Sequence, residues 1–304
     1  MFKKKAKPGL VGIEVRPDGI SIAHAMKADG AEASNVVFQD FISCKAAQRQ
    51  DALAEVIDAQ GLKGNRCNLV LSSDQYQIYQ TEKPPVSDNE LAEAIRWKVK
   101  DLIDYSIDDA VTDVFDFPED ATRGRGSLIN VVSAKKVLLQ EHIRLVEAVG
   151  LELHSIDINE LALRNVSMRY DTTGNGLALL FLRPGFGIIL VSKGDTMYFS
   201  RRFDFSLDAL QNSSTQETTI QQLALEVQRS LDYYESQMGQ MPPKELLLIG
   251  PDSSFPLANM LGQNLAINVS NLDMTPLFLD GVDAGSTLIQ SFSAVGAALR
   301  EGSP

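Results

Sequence analysis

Residues that build metal and disulfide sites are scarce in this sequence. Its 304 residues include two cysteines and three histidines: Cys44, Cys67, His24, His142 and His154. The cysteines lie in separate apolar segments without the paired spacing of a zinc site, and the histidines lie on separate predicted elements. These features exclude a disulfide-bonded scaffold and predict that no metal is bound. We expect both thiols to be reduced and buried.

Positive charge is also in short supply. Lysine and arginine number 28 against 40 aspartates and glutamates, which gives a formal net charge of −12. Such a chain repels phosphates rather than neutralising them, so nucleic acid is not an expected partner. The Gly-x-Ser-x-Gly motif of many serine hydrolases is missing as well. The acidic residues between 101 and 120 lack the order of an EF-hand, and we interpret them as a solvated surface.

No long hydrophobic run is present. The most apolar stretch, residues 176–191, is interrupted by Arg183 and Pro184 and is too short to cross a bilayer core of about 30 Å. Residues 1–7 lead into a predicted strand and not into the apolar core of a secretory leader, so we expect a cytoplasmic protein. Their lysines form either a flexible tail or a weak contact with anionic lipid headgroups.

The sequence does contain an internal repeat. Residues 9–17, Gly-Leu-Val-Gly-Ile-Glu-Val-Arg-Pro, return as residues 176–184, Gly-Leu-Ala-Leu-Leu-Phe-Leu-Arg-Pro. The copies begin 176 − 9 = 167 residues apart, and each is an apolar strand followed by a turn with proline and glycine. We infer that the chain contains a duplicated half.

The same order of elements follows each copy of the repeat. We predict three strands, a helix and a strand at residues 10–15, 20–26, 36–43, 49–60 and 67–71, and again at 177–182, 188–192, 197–204, 216–238 and 245–249. A duplicated β-β-β-α-β order is typical of the actin-like (ribonuclease H-like) α/β fold, in which two related lobes enclose a cleft.

This order also divides the chain. We predict the first part of an actin-like lobe at residues 1–73, an inserted α+β subdomain at 74–157, a connecting helix at 158–175 and the second lobe at 176–304. Either the C-terminal helix stays with the second lobe or it returns to the first.

The first helix of the insert carries the only tryptophan. It opens with Ser87-Asp-Asn-Glu90, a capping-box pattern. Its predicted buried stripe does not include Trp97, which falls on the acidic flank of the helix. Trp97 therefore either packs against a neighbouring strand of its own subdomain or contacts a partner. The stripe consists of Leu91, Ile95, Val99, Leu102 and Ile103.

The two repeated turns are where an actin-like fold would hold phosphate. Glycine lets backbone N–H groups approach the anion there, and an aspartate at the strand end positions metal or water, so each turn needs Asp-x-Gly. The matching residues here are Glu14-Val-Arg16 and Phe181-Leu-Arg183, followed by Pro17 and Pro184. Proline removes a donor and Phe181 binds no cation. We therefore predict a degenerate nucleotide cleft without catalysis.

Three of the cleft residues leave alternatives open. Arg16 and Arg183 are either substitute phosphate clamps, solvated turn residues or bridges to acids of the opposite lobe. Gly250, before Pro251, stands where nucleotide binders carry a run of glycines. It is either the remnant of that run or a residue that permits a tight turn.

Taken in order, six short segments resemble the PilM family of type IV pilus assembly proteins, which are relatives of the cell-division protein FtsA. The likeness covers nearly the whole chain, and it is strongest to members from mannose-sensitive haemagglutinin (MSHA) pilus systems. The segments are Gly-Ile-Glu-Val at 12–15, Glu-Ala-Ile-Arg-Trp-Lys at 93–98, Val-Val-Ser-Ala-Lys-Lys at 131–136, Ile-Asp-Ile-Asn-Glu-Leu-Ala-Leu at 156–163, Glu-Val-Gln-Arg-Ser-Leu-Asp-Tyr-Tyr at 226–234 and Phe-Ser-Ala-Val-Gly-Ala-Ala-Leu-Arg at 292–300.

The resemblance implies an actin-like fold in the cytoplasm, peripheral to the inner membrane. It implies a groove between the first lobe and the insert that receives the cytoplasmic tail of a PilN-like membrane protein, here MshJ-like, and possible contact with the pilus assembly ATPase. Family members with intact motifs bind ATP. This sequence departs from them at Glu14, Arg16, Pro17, Phe181, Arg183 and Pro251.

We therefore expect a non-catalytic adaptor without a cofactor. Two other readings stay open: an ATPase or sugar-kinase-like phosphotransferase that uses Glu14 to bind magnesium, and a filament-forming actin relative. The cytoplasmic part of the type II secretion protein GspL looks like a parallel case of a scaffold with a degenerate cleft.

Overall fold

Strands and helices alternate along the chain. The computed structural model describes residues 7–28, 30–172, 174–250 and 255–301. Its strands are β1 (Leu10–Arg16), β2 (Gly19–Lys27), β3 (Ser34–Ser43), β4 (Arg66–Leu71), β5 (Tyr76–Glu82), β6 (Ala110–Asp116), β7 (Leu128–Lys135), β8 (Glu152–Ile158), β9 (Leu177–Arg183), β10 (Gly185–Lys193), β11 (Thr196–Phe205), β12 (Glu245–Ile249) and β13 (Asn268–Asn271). Its α-helices are α1 (Arg49–Gln60), α2 (Asp88–Val99), α3 (Lys136–Ala148), α4 (Asn159–Ser167), α5 (Leu207–Gln211), α6 (Gln216–Met238), α7 (Leu257–Gly262) and α8 (Leu288–Ala298).

Two five-stranded sheets share one topology. Their strand orders are β3-β2-β1-β4-β8 and β11-β10-β9-β12-β13. In each, the first strand pairs antiparallel with the second and parallel with the fourth. Arg16 and Arg183 hold equivalent places at the ends of β1 and β9, where the hairpins turn. The predicted β-β-β-α-β order is thus present twice.

A third sheet, ordered β5-β7-β6, is inserted into the first half. Helix α2 packs on it through Ile95 and Val99, and the predicted capping box of Ser87 and Glu90 is formed. Leu102 was predicted to be buried but is 52% exposed, because α2 ends at Val99.

The structure places the end of the predicted 74–157 insert in the first lobe. Strand β8 pairs with β4 as the fifth strand of the first sheet. Val146 of α3 packs with Leu53 and Ile57 of α1 in the core of that lobe. The physical reason is the repeat: a crossover helix and a fifth strand complete the first sheet, as α7 and β13 complete the second.

The C-terminal helix joins the two halves. Helix α8 packs on β1, β2 and α4, and Phe292 of α8 shares a core cluster with Ala25 of the first sheet and Phe181 of the second. The helix therefore returns to the first lobe.

Helix α6 has the predicted buried face, since Ile220, Val227 and Tyr234 are among its buried residues. It ends at Gly239 in the left-handed conformation, φ 67°, which glycine adopts without strain. Among the helices that the structure describes, none combines the length and apolarity needed to span a bilayer.

Candidate functional site

A cleft of about 1050 Å³ opens between the two repeated hairpins. Four of the residues predicted for the nucleotide cleft line it, namely Arg16, Pro17, Arg183 and Gly250. Glu14 lies beneath the lining and is fully buried. Strands β1 and β9 position these groups because both end at the cleft.

The base of the cleft is a buried ion pair between the halves. The Arg183 guanidinium donates to both carboxylate oxygens of Glu14, with Nη1–Oε1 at 2.8 Å and Nη2–Oε2 at 2.9 Å. The hydroxyl of Ser72 also donates to Oε1, at 3.2 Å. This bidentate geometry is the strong form of such a bond. Of the three roles left open for Arg183, the structure shows the bridge to an acid of the opposite lobe.

The carbonyl oxygen of Gln290, at the start of α8, accepts several bonds in the same place. Arg16 Nη1 donates to it at 2.7 Å, the Ser21 hydroxyl at 2.8 Å, and Arg183 donates to it as well. Both hairpins are therefore attached to α8 through one acceptor.

Arg16 is held from the other side by its own turn. Its Nε donates to Asp18 at 2.8 Å, and its guanidinium carbon lies 4.4 Å from the centre of the Phe41 ring. The bond from Arg16 lowers the pKa of Asp18 below its ordinary value. The arginine at each repeated turn is therefore bonded to a carboxylate, Arg16 to Asp18 and Arg183 to Glu14.

Comparison with solved structures identifies the fold. No family model and no curated protein matches the sequence. A PilM–PilN type IV pilus biogenesis complex matches with a TM-score of 0.74 at 16% identity, covering 96% of this chain and 98% of that chain. A protein of unknown function from Bacteroides thetaiotaomicron with an actin-like ATPase fold matches at 0.52 and 11% identity, over 95% and 96% of the two chains. The fold is actin-like.

The cytoplasmic domain of EpsL, an inner-membrane component of the type II secretion system of Vibrio cholerae, also matches. Its TM-score is 0.51 at 13% identity, and the match covers 84% of this chain and 93% of that chain. At these identities the likeness concerns the fold.

Glu14, Arg16 and Arg183, at the two repeated turns, are not placed to hold a magnesium triphosphate in this structure. A metal ligand at Glu14 would need a free carboxylate oxygen, but both oxygens accept from Arg183. A phosphate clamp at the two repeated turns would need a free guanidinium there, but Arg183 and Arg16 are both engaged. A third arginine of the lining, Arg202, lies outside these turns and donates to the Ser73 hydroxyl. No group of three or more histidine, cysteine, aspartate or glutamate side chains suited to a metal ion occurs in the described part of the chain.

Phe181 and Gly250 differ in their relation to the cleft, because Gly250 lines it and Phe181 does not. Phe181, the counterpart of Glu14 in the repeat, packs in the core with its ring 5.6 Å from that of Phe292. A Cβ added at Gly250 would make ordinary contacts, 3.4 Å from Leu248 and 3.6 Å from Leu182, so no close approach requires glycine there. Pro251 lies outside the described residues.

Trp97 lies away from the cleft, on α2 of the insert. Its side chain is 66% exposed, and the Lys100 ammonium lies 5.4 Å from the ring centre. This exposure does not fit the alternative that packs it against a strand of its own subdomain. Contact with a partner stays a prediction.

Four members of the network were not predicted from the sequence: Asp18, Ser21, Ser72 and Gln290. Ser21 was within reach of a prediction, because it lies directly opposite Glu14 in the β1–β2 hairpin register. Gln290 gave no signal, since its contribution is a backbone carbonyl.

Proposed function

We propose that this chain is a non-catalytic scaffold of type IV pilus assembly, of the MSHA type and similar to MshI. It binds the cytoplasmic tail of a PilN-like, MshJ-like inner-membrane protein, lies in the cytoplasm against that membrane and stands near the pilus assembly ATPase. Support comes from the six family-like segments together with the match to the PilM–PilN complex over nearly the whole of both chains.

The observation that carries the non-catalytic part is the buried pair of Glu14 and Arg183. A residue that serves catalysis in such a cleft must be free to meet substrate or metal. Here the acid and the base neutralise each other and join the two lobes. The pair instead supports a rigid body that presents a surface to a partner.

The junction of the insert and the first lobe offers a surface for the tail. Strand β6 is an edge strand of the inserted sheet, and its Val111 is 42% exposed. Val111 lies opposite Ala134 in the sheet. Val137, three residues after Ala134, is the second residue of α3 and is 61% exposed. Exposed apolar side chains beside an open strand edge suit either strand addition or docking of a short helix.

We predict that Val137→Asp weakens binding of a synthetic MshJ-like cytoplasmic tail at least tenfold, because a carboxylate would replace an apolar anchor. Calorimetry with the purified protein measures the affinity, and Trp97 fluorescence reports whether α2 takes part. Leu225→Asp is the matched control, since Leu225 is an exposed apolar residue of α6 in the other lobe. If saturating tail peptide does not bind the wild-type protein, the proposed partner is wrong.

An ATPase is the second candidate, favoured by the size of the cleft between the lobes. We expect no micromolar binding of magnesium ATP in a calorimetric titration and no phosphate release. Micromolar affinity with turnover that Glu14→Ala abolishes would replace the scaffold by an enzyme. The same Glu14→Ala protein must first be shown to remain folded by circular dichroism.

A further inference from the structure

A second groove, of about 520 Å³, lies between the inserted sheet and the second lobe. One wall is β5, an edge strand of the order β5-β7-β6, and the other is β11, an edge strand of the second sheet. The groove therefore lies between a face of the inserted sheet, to which β5 contributes the alternate residues Tyr76, Ile78 and Gln80, and the edge strand β11.

The edge of β11 is open toward this groove. Six consecutive residues, Met197 to Arg202, line it, whereas a strand that presented only one face would contribute alternate residues. On the other side β11 pairs with β10. Within the described ranges, no further strand and no side chain hydrogen-bonds to the backbone of residues 197–202. An unpaired edge of this kind is a template for an added strand.

Three arginines give the groove a charge opposite to that of the whole protein. Arg125, Arg201 and Arg202 line it, and none of them forms an ion pair with a carboxylate among the described residues. Arg202 donates to the Ser73 hydroxyl at 3.3 Å, and Arg125 donates to the Thr122 carbonyl at 3.1 Å. In a chain of net charge −12, this is a local cationic site.

A single acid among the residues that the structure describes, Glu160, lines the groove. Glu160 is buried, accepts from the Tyr76 hydroxyl, and lies 3.4 Å from the Ser200 hydroxyl. Burial raises the pKa of Glu160 above the ordinary carboxyl value, and the hydrogen bond from Tyr76 and the charge of Arg202 act against this rise. Glu160 forms no ion pair with Arg125 or Arg201, which remain available to another anion.

A buried donor without a partner also lines the groove. Asn130 of β7 is 6% exposed, and its Nδ2 has no hydrogen-bond acceptor. A buried amide that lacks a partner costs free energy, which a ligand with an acceptor oxygen would recover. Phe117 and Phe199 supply apolar surface beside it.

We infer that this groove binds an extended acidic peptide segment, which adds as a strand to β11 and places its carboxylates against Arg125 and Arg201. Backbone pairing with the open edge would supply affinity, and the arginines would select acidic side chains. The segment belongs to a partner other than the PilN-like tail, and the inference does not rest on the pilus assignment.

The test uses a fluorescein-labelled hexapeptide of alternating glutamate and valine, with fluorescence anisotropy as the readout. We expect Arg201→Glu and Arg125→Glu each to weaken binding at least tenfold, and the matched lysine–valine peptide not to bind. Arg144→Glu, an exposed arginine of α3, is the control for net charge and should change the affinity less than twofold. Methylation of alternate backbone nitrogens of the probe should abolish binding, because a strand needs those donors.

Four results of the peptide measurements would overturn the inference. They are no binding of the glutamate–valine peptide to the wild-type protein at 1 mM, equal binding of the lysine–valine peptide, an undiminished affinity in both groove variants, and undiminished binding of the methylated probe. A dimer seen in sedimentation that the probe displaces would assign the groove to a second copy of the chain, and this would also overturn it. Failure of the MshJ-like tail to bind leaves these measurements unchanged.

Discussion

Glu14→Gln is expected to lower the free energy of unfolding by about 3–5 kcal/mol, which is the usual cost of removing one partner from a buried ion pair. The substitution leaves the Arg183 guanidinium buried without a counter-charge, and the new amide group turns donors toward the donors of Arg183. Urea denaturation followed by circular dichroism measures the loss.

Burial is the property that this prediction tests, so an exposed ion pair is the control. Lys63 and Asp58 form a bridge in which both side chains are more than half exposed, 61% and 57%. Lys63→Gln should cost less than about 1 kcal/mol, since solvent screens such a pair. Equal losses for Glu14→Gln and Lys63→Gln would contradict the assignment of the cleft pair as a structural lock.

A double substitution separates two contributions to the free energy of unfolding: the stabilisation from the ion pair and the cost of a buried charge without a partner. Glu14→Leu with Arg183→Leu removes both charges, and buried ion pairs are often replaced by apolar residues with little loss. We expect the double variant to regain more than half of the stability that Glu14→Gln loses. If the double variant is no more stable than Glu14→Gln, the hydrogen bonds to Gln290 and Ser72 contribute more than the charges do.

The two lobes were predictable because the sequence patterns that indicate their strands and helices lie within short segments of the chain. Each repeat copy ends a strand at arginine and proline, and the buried stripe of α6 recurs at three- and four-residue steps. The end of the insert was not predictable in the same way. Whether α3 and β8 belong to the insert or to the first lobe depends on strand β4, more than 60 residues earlier than α3 in the chain.

The position of the site was predictable from the sequence, but the hydrogen bonds and ion pairs within it were not. The equivalence of Arg16 and Arg183 follows from the repeat, whereas the pairing of Arg183 with Glu14 joins residues 169 apart. The same limit applies to the groove beside β11. A strand becomes an edge through the order of strands in space, and the sequence of β11 carries no mark of it.

Gly12→Ala is expected to cost about 3 kcal/mol or more, at the upper end of what overpacking costs in a protein core. Helix α8 crosses β1 so closely that a Cβ at residue 12 would lie 2.0 Å from the carbonyl oxygen of Ala294 and 2.7 Å from the amide nitrogen of Ala298. These are backbone atoms, which no side-chain rotation can move. The helix would have to shift, and it is the element that packs between the two sheets.

Thermal and urea unfolding of Gly12→Ala measure this effect, with Gly262→Ala as the control. A Cβ at Gly262 would meet only the Cβ of Val269, at 4.0 Å, so that variant should change the stability by less than about 1 kcal/mol. Ala297→Gly removes the one nearby side-chain atom, which is 2.9 Å from the added Cβ, and should not rescue Gly12→Ala. Rescue would mean that a side-chain contact, and not the approach of two backbones, sets the distance between α8 and β1. In that case the distance between α8 and the first sheet would not be fixed by their backbones. The position of the Gln290 carbonyl beside Arg16 and Arg183 would then not be fixed either.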